Sequence, residues 1–275
     1  MRIAVIGHVE HVTLGRVDAV PSAGEIVHLQ NARTWAAGGG AIAFWQLVQS
    51  DAEVHFFTAI GDDDGARAVR ARLANVRAGV TVHAASRAEP HPRVVVMIDH
   101  AGRRTILVTT APLQPREDDP LPWSLLATCD AVYFTGSDPG SLRRAREGKR
   151  LLLTARRRPV VESAEVTADV VIGSVSDPRE NAPLEAWTSP PRALVLTDGP
   201  RAIRIVRREG TALVEPPKAV TAVVSDYGAG DSFAAALTYF CARGATLEDA
   251  ARAAGPFGAA ILGRLDFREA QAMLE

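Results

Sequence analysis

The sequence predicts an α/β protein built on a mostly parallel sheet, and two observations carry that expectation. Short apolar runs such as "DAVYFTG", "DVVIGS" and "RALVLTDG" recur along the chain, most of them followed by segments of helical composition. That alternation builds a parallel sheet with ligands at the strands' carboxyl ends. Of the 275 residues 47% are hydrophobic, ample for a sizeable core. Basic and acidic residues number 31 and 32, a net charge of −1, so no overall field recruits polyanions. With no internal repeat and no low-complexity linker, one main domain over 1–275 with a small β appendage from the first hundred residues is the economical arrangement.

The elements follow in order. "IAVI" is a first strand ending at Gly7, and "VTLGRVDAVPSAGEIVHLQNARTW" mixes β-branched residues with Pro21 and Gly24, as short, partly exposed strands do. "AAGGGAIAFWQLVQS" passes from glycines into a helix, "EVHFFTAIG" is a buried strand and "DDDGARAVRARLANV" has helical composition. "RVVVMIDH" and "RRTILVTT" flank the turn "AGR" as a hairpin. The basic run "SLRRAREGKR" with the following "ARRRP" is a solvated helix face and the loop after it. "DAVYFTG", "PVVES", "DVVIGS" and "RALVLTDG" are expected strands, "AIRIVRREGTALVEPP" an antiparallel pair, and "SFAAALTYFCARG", "TLEDAARAAGPFGAAILG" and "DFREAQAMLE" closing helices.

Several classes are disfavoured. Cys129 and Cys241 are too few for a disulfide framework and lack CxxC spacing, so a cytoplasmic location is the expectation. "MRIAVIGHVEHV" is interrupted by His8, Glu10 and His11, as a strand is and a leader is not. No stretch approaches the length of a spanning helix, and neither membrane nor nucleic acid is an expected partner. No GxGxxG follows the first strand, against a dinucleotide oxidoreductase, and no GxxxxGK[ST] occurs, against a P-loop.

The most informative stretch is "SDYGAGDSFAAAL". Glycine inside a helix costs about 1 kcal/mol relative to alanine, so Gly228 and Gly230 belong to the turn leading into one. Backbone N–H groups of Gly228, Ala229 and Gly230, with those of the first helical turn, then have no partner within the helix, and with the dipole they suit a phosphate. Asp231 beside them is either a helix N-cap or a proton acceptor for an attacking alcohol.

"DYGAGDSFAAAL" resembles the signature of the ribokinase-like (PfkB) carbohydrate kinases. The resemblance implies a three-layer sandwich with a mostly parallel central sheet and a small β-sheet lid, here about 12–36 and 92–110. It implies an ATP- and Mg²⁺-dependent kinase acting on a small-molecule alcohol (sugar, sugar derivative, polyol or nucleoside), with Gly228, Ala229 and Gly230 as anion hole and Asp231 as base. Where the family has an aspartate and threonines before the first glycine, this chain has Ser225, Asp226 and Tyr227. "AAGGGAIAFWQLVQS" is similar to the family's sugar-side glycine segment, "FTAIGDDDGARAVRARLANVRAG" to its strand, GxDxxG-like stretch and helix, and "ALVLTDGPRAIRI" to the nucleotide-site strand, matched at Thr197 and Gly199.

On the nucleotide side, "SVSD" occupies the place of the family's NxxE motif, with Ser174 at the asparagine and Asp177 at the glutamate; Asp177 and Glu180 are the candidate metal residues, with contact through water. "SDPRE" reads equally as a helix start. Thr197 is a candidate phosphate donor and Phe257 a candidate adenine neighbour, though the turn at Gly199 and a packed core explain them as well.

The acceptor side departs from the family. Ungapped alignment puts Glu10 at a frequent asparagine, Val12 at the sugar-gripping aspartate and Ile42 at the asparagine after Gly38 and Gly39. A site that has exchanged polar groups for Val12 and Ile42 suits a nucleoside-like, deoxygenated or otherwise less hydroxylated alcohol. Arg93, Arg103 or Arg104 reaches an anionic acceptor if one is used. Exposed lid edges favour a homodimer. The competing expectation is a catalytically inactive ribokinase-like protein that binds a small molecule or nucleotide and regulates.

Overall fold

Strand β1 (Arg2–Ile6) is an interior strand of a nine-stranded sheet, third from one edge, and Ile3 to Ile6 are apolar and sealed on both faces. The computed structural model describes residues 1–218 and 220–274. Across the large sheet the order is β13 (Gly210–Val214), β12 (Arg201–Arg207), β11 (Ala193–Asp198), β10 (Val170–Ser174), β9 (Leu151–Thr154), β8 (Ala131–Phe134), β1, β4 (Glu53–Ile60) and β5 (Val80–Ser86). From β11 to β5 every neighbouring pair is parallel, while β11, β12 and β13 pair antiparallel. A second, four-stranded sheet has the order β3 (Gln30–Ala37), β2 (Glu10–Arg16), β6 (Arg93–Ile98) and β7 (Arg104–Val108). This is the smaller second sheet that the fold class predicts.

Period-two alternation sorts the core into two layers. Ile3, Val5 and Phe56 face one side of the large sheet with helices α1 (Gly39–Val48), α2 (Asp64–Ala74), α5 (Ala229–Ala242) and α6 (Leu247–Leu262). Ala4, Ile6 and Phe57 face the other, with α3 (Pro139–Ala145) and α4 (Arg158–Ala164). A short α7 (Phe267–Ala270) follows α6. The result is the three-layer sandwich with a small second sheet. In that second sheet Val12 and Leu14 of β2 and Val94, Val96 and Ile98 of β6 turn inward, whereas Ile106, Leu107 and Val108 of β7 are 42%, 53% and 53% exposed.

Two local expectations are corrected. "PVVES" is not a strand: Pro159 stands in the first turn of α4, Val161 faces the core, and Arg158 pairs with Glu162 one turn later at 2.8 Å. The strand is instead the preceding "LLLT", hidden behind a basic run. The final helix spans only Phe267–Ala270, because the chain beyond it is drawn onto the end of α1: Gln46 Nε2 donates to the Ala272 carbonyl at 2.9 Å and Leu274 N–H to that of Gln49 at 2.8 Å.

Phe56 stacks on Phe44 with centroids 4.8 Å apart, both fully buried between β4 and α1. Phe56→Ala is expected to cost about 3–5 kcal/mol in chemical denaturation, and a loss below about 1 kcal/mol would contradict this packing.

Candidate functional site

Helix α5 begins without a side-chain cap. Its N-cap is Gly228 at φ 90°, a left-handed conformation natural to glycine, and a Cβ there would press 3.2 Å from the Ile42 side chain. By contrast Asp63, Asp138, Thr246 and Asp266 cap α2, α3, α6 and α7 through their side chains. Among the described residues the amides of Gly228, Gly230 and Asp231 meet no acceptor, and Ala229 N–H makes only a 3.5 Å contact with the Asp226 carbonyl. Three positions into the helix, Asp231 is not the N-cap that one sequence expectation made it. Gly258 lets α6 close on this turn, since a Cβ there would meet the Ala229 carbonyl at 3.1 Å.

The Asp231 carboxyl lies against the glycine segment of α1. A Cβ on Gly39 would sit 3.2 Å from Asp231 Oδ1 and 3.4 Å from Thr135 Oγ1. No hydrogen bond from a described residue reaches the carboxyl, and although the residue as a whole is only partly buried, the surrounding protein pushes its pKa up to about 7. Desolvation is the main cause; Arg104 works against it, Glu180 with it, and Arg156 and Arg157 against it. Tyr133, fully buried nearby, is raised well above its ordinary value by burial and by Asp231.

Glu10 and His8 complete the wall. Glu10 is 7% exposed, its carboxylate 3.8 Å from His8 Nε2, and burial, then repulsion from Asp231, raises it to about 7. His8 Nε2 lies 3.3 Å from the Gly39 amide and accepts its proton, so the ring is neutral; burial, then Arg157, lowers it to about 3. Its Nδ1 is buried with no partner among the described residues. Arg157 donates from Nε to the Thr135 carbonyl at 2.9 Å. Structure therefore brings Glu10, Gly38, Gly39, Gly228, Ala229, Gly230 and Asp231 to one place.

Val12 and Ile42 are placed differently from the expectation. They are 0% and 1% exposed, sealed in the core that joins lid to body, and line no opening for an acceptor. Tyr227 and Phe267, centroids 6.1 Å apart, and Trp35, 6.1 Å from Phe267, pack into the same core. Apolar replacement at these positions has filled space rather than widened it.

The nucleotide-side candidates gather at the ends of β10 and β11. Ser174 and Thr197 are register partners. Thr197 Oγ1 donates to the Gly173 carbonyl at 3.3 Å, and Gly199, at φ 56°, makes the turn into β12. Phe257 is half-buried on α6 against Phe240, at 6.1 Å. "SDPRE" is a turn and not a helix start, with Glu180 and Asn181 N–H both reaching the Asp177 carbonyl. Asp177 and Glu180 do not fit as direct ligands for a divalent cation: Arg156 bridges the two, Arg179 adds a 3.2 Å contact to Asp177, and Glu180 Oε2 accepts the Ser174 amide. Among the described residues no group of three or more acidic, histidine or cysteine side chains is arranged to hold a metal.

Sequence reasoning offered His8 only as one of several histidines able to replace lost polar contacts, and it missed Thr135 and Arg157 as parts of this site. The one usable signal for Arg157 was "LLLT" ahead of "ARRR", an apolar run that ends where a strand opens onto the ligand edge.

Comparisons with known proteins bear on the fold. Residues 179–270 match the family model described as pfkB family carbohydrate kinase. No curated protein matches the chain in sequence. Among solved structures, the ribokinase of Thermotoga maritima superposes with TM-score 0.78 at 16% identity, covering 98% of this chain and 95% of its own. Ribokinase of Arabidopsis thaliana, complexed with ribose and ATP, gives 0.77 at 15%, covering 98% and 95%. Adenosine kinase of Sinorhizobium meliloti gives 0.73 at 15%, covering 96% and 94%. At these identities the structures establish the ribokinase-like fold. No helix among the described residues is long and apolar enough to cross a membrane.

Since the folded protein holds the Asp231 proton more tightly than the unfolded chain, stability falls as pH rises from the ordinary 3.8 to about 7. Asp231→Asn is expected to gain melting temperature on the parent protein progressively across that window and hold the gain above it. A difference that does not change with pH would contradict the shifted carboxyl.

Proposed function

We propose, from its fold and the match over residues 179–270 together, that the chain is a member of the ribokinase-like (PfkB) family and an ATP-dependent kinase phosphorylating a hydroxyl of a small molecule. The observation that carries this is an Asp231 carboxyl with no protein hydrogen-bond partner among the described residues, beside the uncapped amides of α5. A carboxyl raised to about 7 is poised to take a proton near neutral pH.

The step follows from that placement. The acceptor hydroxyl approaches Asp231, its oxygen bonds to the terminal phosphorus of ATP, and the bond from that phosphorus to the bridging oxygen breaks. The hydroxyl proton passes to Asp231, and ADP leaves. Amides of residues 228–231 carry the negative charge of the phosphoryl oxygens, so the helix terminus neutralises what the carboxylate repels. Kinases of this family generally use ATP with Mg²⁺; Asp177 and Glu180, held by Arg156, are not assigned to that ion.

The sealed Val12 and Ile42 leave Glu10, at the start of β2, and His8, in the turn before it, as the polar acceptor-side groups, which supports an alcohol less hydroxylated than ribose or a hexose. Exposed Ile106, Leu107 and Val108 on the outer lid strand support pairing of two lids in a homodimer. The inactive binding protein remains the second reading, favoured by one observation, the arginine-tied Asp177 and Glu180.

Acceptor-dependent ADP release over sugars, deoxysugars, polyols, sugar acids and nucleosides tests the activity. Asp231→Asn is expected to lower kcat by about 10²–10⁴-fold; an unchanged acceptor-dependent rate would remove the base. In the parent enzyme kcat/KM is expected to rise with pH through about 7, as the carboxyl loses its proton, and then level off. A rate independent of pH between about 5 and 8 would contradict this assignment.

A further inference from the structure

We propose that the acceptor of this kinase is an anion, with a carboxylate or phosphate group held by Arg157, and that this arginine sets substrate class. The inference rests on the kinase reading above and deepens it.

The arginines of this face are nearly all spent within the protein. Arg93 pairs with Asp63 at 3.3 Å, Arg103 with Asp99 at 2.8 Å and Arg104 with Asp226 at 2.6 Å, so the three lid arginines that the sequence offered for an anionic acceptor are engaged. Arg144 and Arg146 are in ion pairs, and Arg158 is held by Glu162. Arg157 differs. It is half-buried, yet among the described residues its sole hydrogen bond is from Nε to the Thr135 carbonyl, and no carboxylate lies within ion-pair distance. Its two terminal nitrogens have no acceptor there. A guanidinium held by its stem nitrogen, with both terminal nitrogens unspent, presents the fork that carboxylates and phosphates fit.

Topology says which substrate it faces. Arg156 and Arg157 are consecutive after β9, and they diverge: Arg156 turns to Asp177 and Glu180 beyond β10, on the nucleotide side. Arg157 turns the other way, to the end of β8, the neighbour of β1. Beyond β1 stand His8 and Glu10, and the field of Arg157 acts on both of them and on Asp231. Thr135, which anchors Arg157, has its hydroxyl beside Gly39 and the Asp231 carboxyl. The cation therefore lies beside the place where the acceptor hydroxyl meets its base, among carboxyls that would repel an anion if it were absent.

The closed lid side supports the same assignment. Val12 and Ile42 are sealed and make no contact with hydroxyls, and the Gly39 amide is taken by His8. An acceptor bound with fewer hydroxyl contacts needs another source of orientation, and one bidentate ion pair supplies it.

The test is titration calorimetry in the presence of a nonhydrolysable ATP analogue, with neutral alcohols and their anionic counterparts: alditols and aldoses against aldonic and deoxyaldonic acids in one arm, and against sugar phosphates in the other. At least one acid or phosphate is expected to bind about tenfold or more tighter than its neutral parent, the arm in which it does so naming the group. In Arg157→Gln that ratio is expected to collapse to about unity, and in Arg157→Lys, which keeps charge but not the fork, to recover in part. The proposal is overturned if no anion binds better than its neutral parent, if the preference survives in Arg157→Gln, or if that variant weakens only the nucleotide analogue. Should Arg157→Gln not fold, the parent protein's ratio and the lysine variant decide. ADP release with the same compounds reports separately on the kinase reading: anion-selective binding without Asp231-dependent turnover would sink that reading and leave the anion preference standing.

Discussion

Placing a carboxyl where water is scarce, without giving it a hydrogen-bond donor, is unfavourable, and the site is organised around that cost. Asp231 sits in the first turn of α5, against Gly39 and beneath Thr135, and burial alone accounts for most of its shift. The helix terminus beside it is the compensating feature: its amides are open, and a phosphate there has what the carboxylate lacks. Gly228 makes both possible, since its left-handed backbone turns the chain into the helix and its missing side chain leaves room for Ile42.

Charge is distributed with the same logic. Two carboxyls, Asp231 and Glu10, are pushed upward in one concavity while His8 is pushed down to neutrality, so the wall is acidic and uncharged by turns as pH crosses about 7. The cations nearest to it divide their work. Arg156 is committed to Asp177 and Glu180, Arg104 to Asp226 at the lid's edge, and Arg157 alone stands uncommitted among the described residues. Arg104 also couples two regions: it ties the lid strand β7 to the segment that leads into the α5 turn, where Asp226 N–H in addition reaches the Gly102 carbonyl. Lid position and the geometry of the amide nest are thus mechanically joined.

How much of this was legible in the sequence depends on how local each determinant is. The parallel sheet followed from β-branched apolar runs, and the α5 turn from "GAGD", because in both the residue types act on their own backbone. The swap of "LLLT" and "PVVES" shows the limit: both are short apolar runs, and what made the second a helix was Pro159 in a first turn and a pair between Arg158 and Glu162, weak signals until tertiary packing chooses. Glu10, Gly38, Gly39 and Asp231 meeting at one point was foreseeable only through resemblance, since Asp231 stands far along the chain from the other three. Val12 and Ile42 were legible as apolar but not as sealed, because burial depends on Trp35, Tyr227 and Phe267 arriving from elsewhere. Arg157 was lost inside a basic run most of whose other members are paired with carboxylates; which of several arginines stays unpaired is a three-dimensional fact.

The most direct test of the central arrangement is a crystal structure with a nonhydrolysable ATP analogue and a bound acceptor. The terminal phosphate is expected on the amides of residues 228–231, with an acceptor hydroxyl about 3 Å from the Asp231 carboxylate. A terminal phosphate bound away from α5, or an Asp231 side chain turned into protein contacts with no acceptor oxygen in reach, would contradict it.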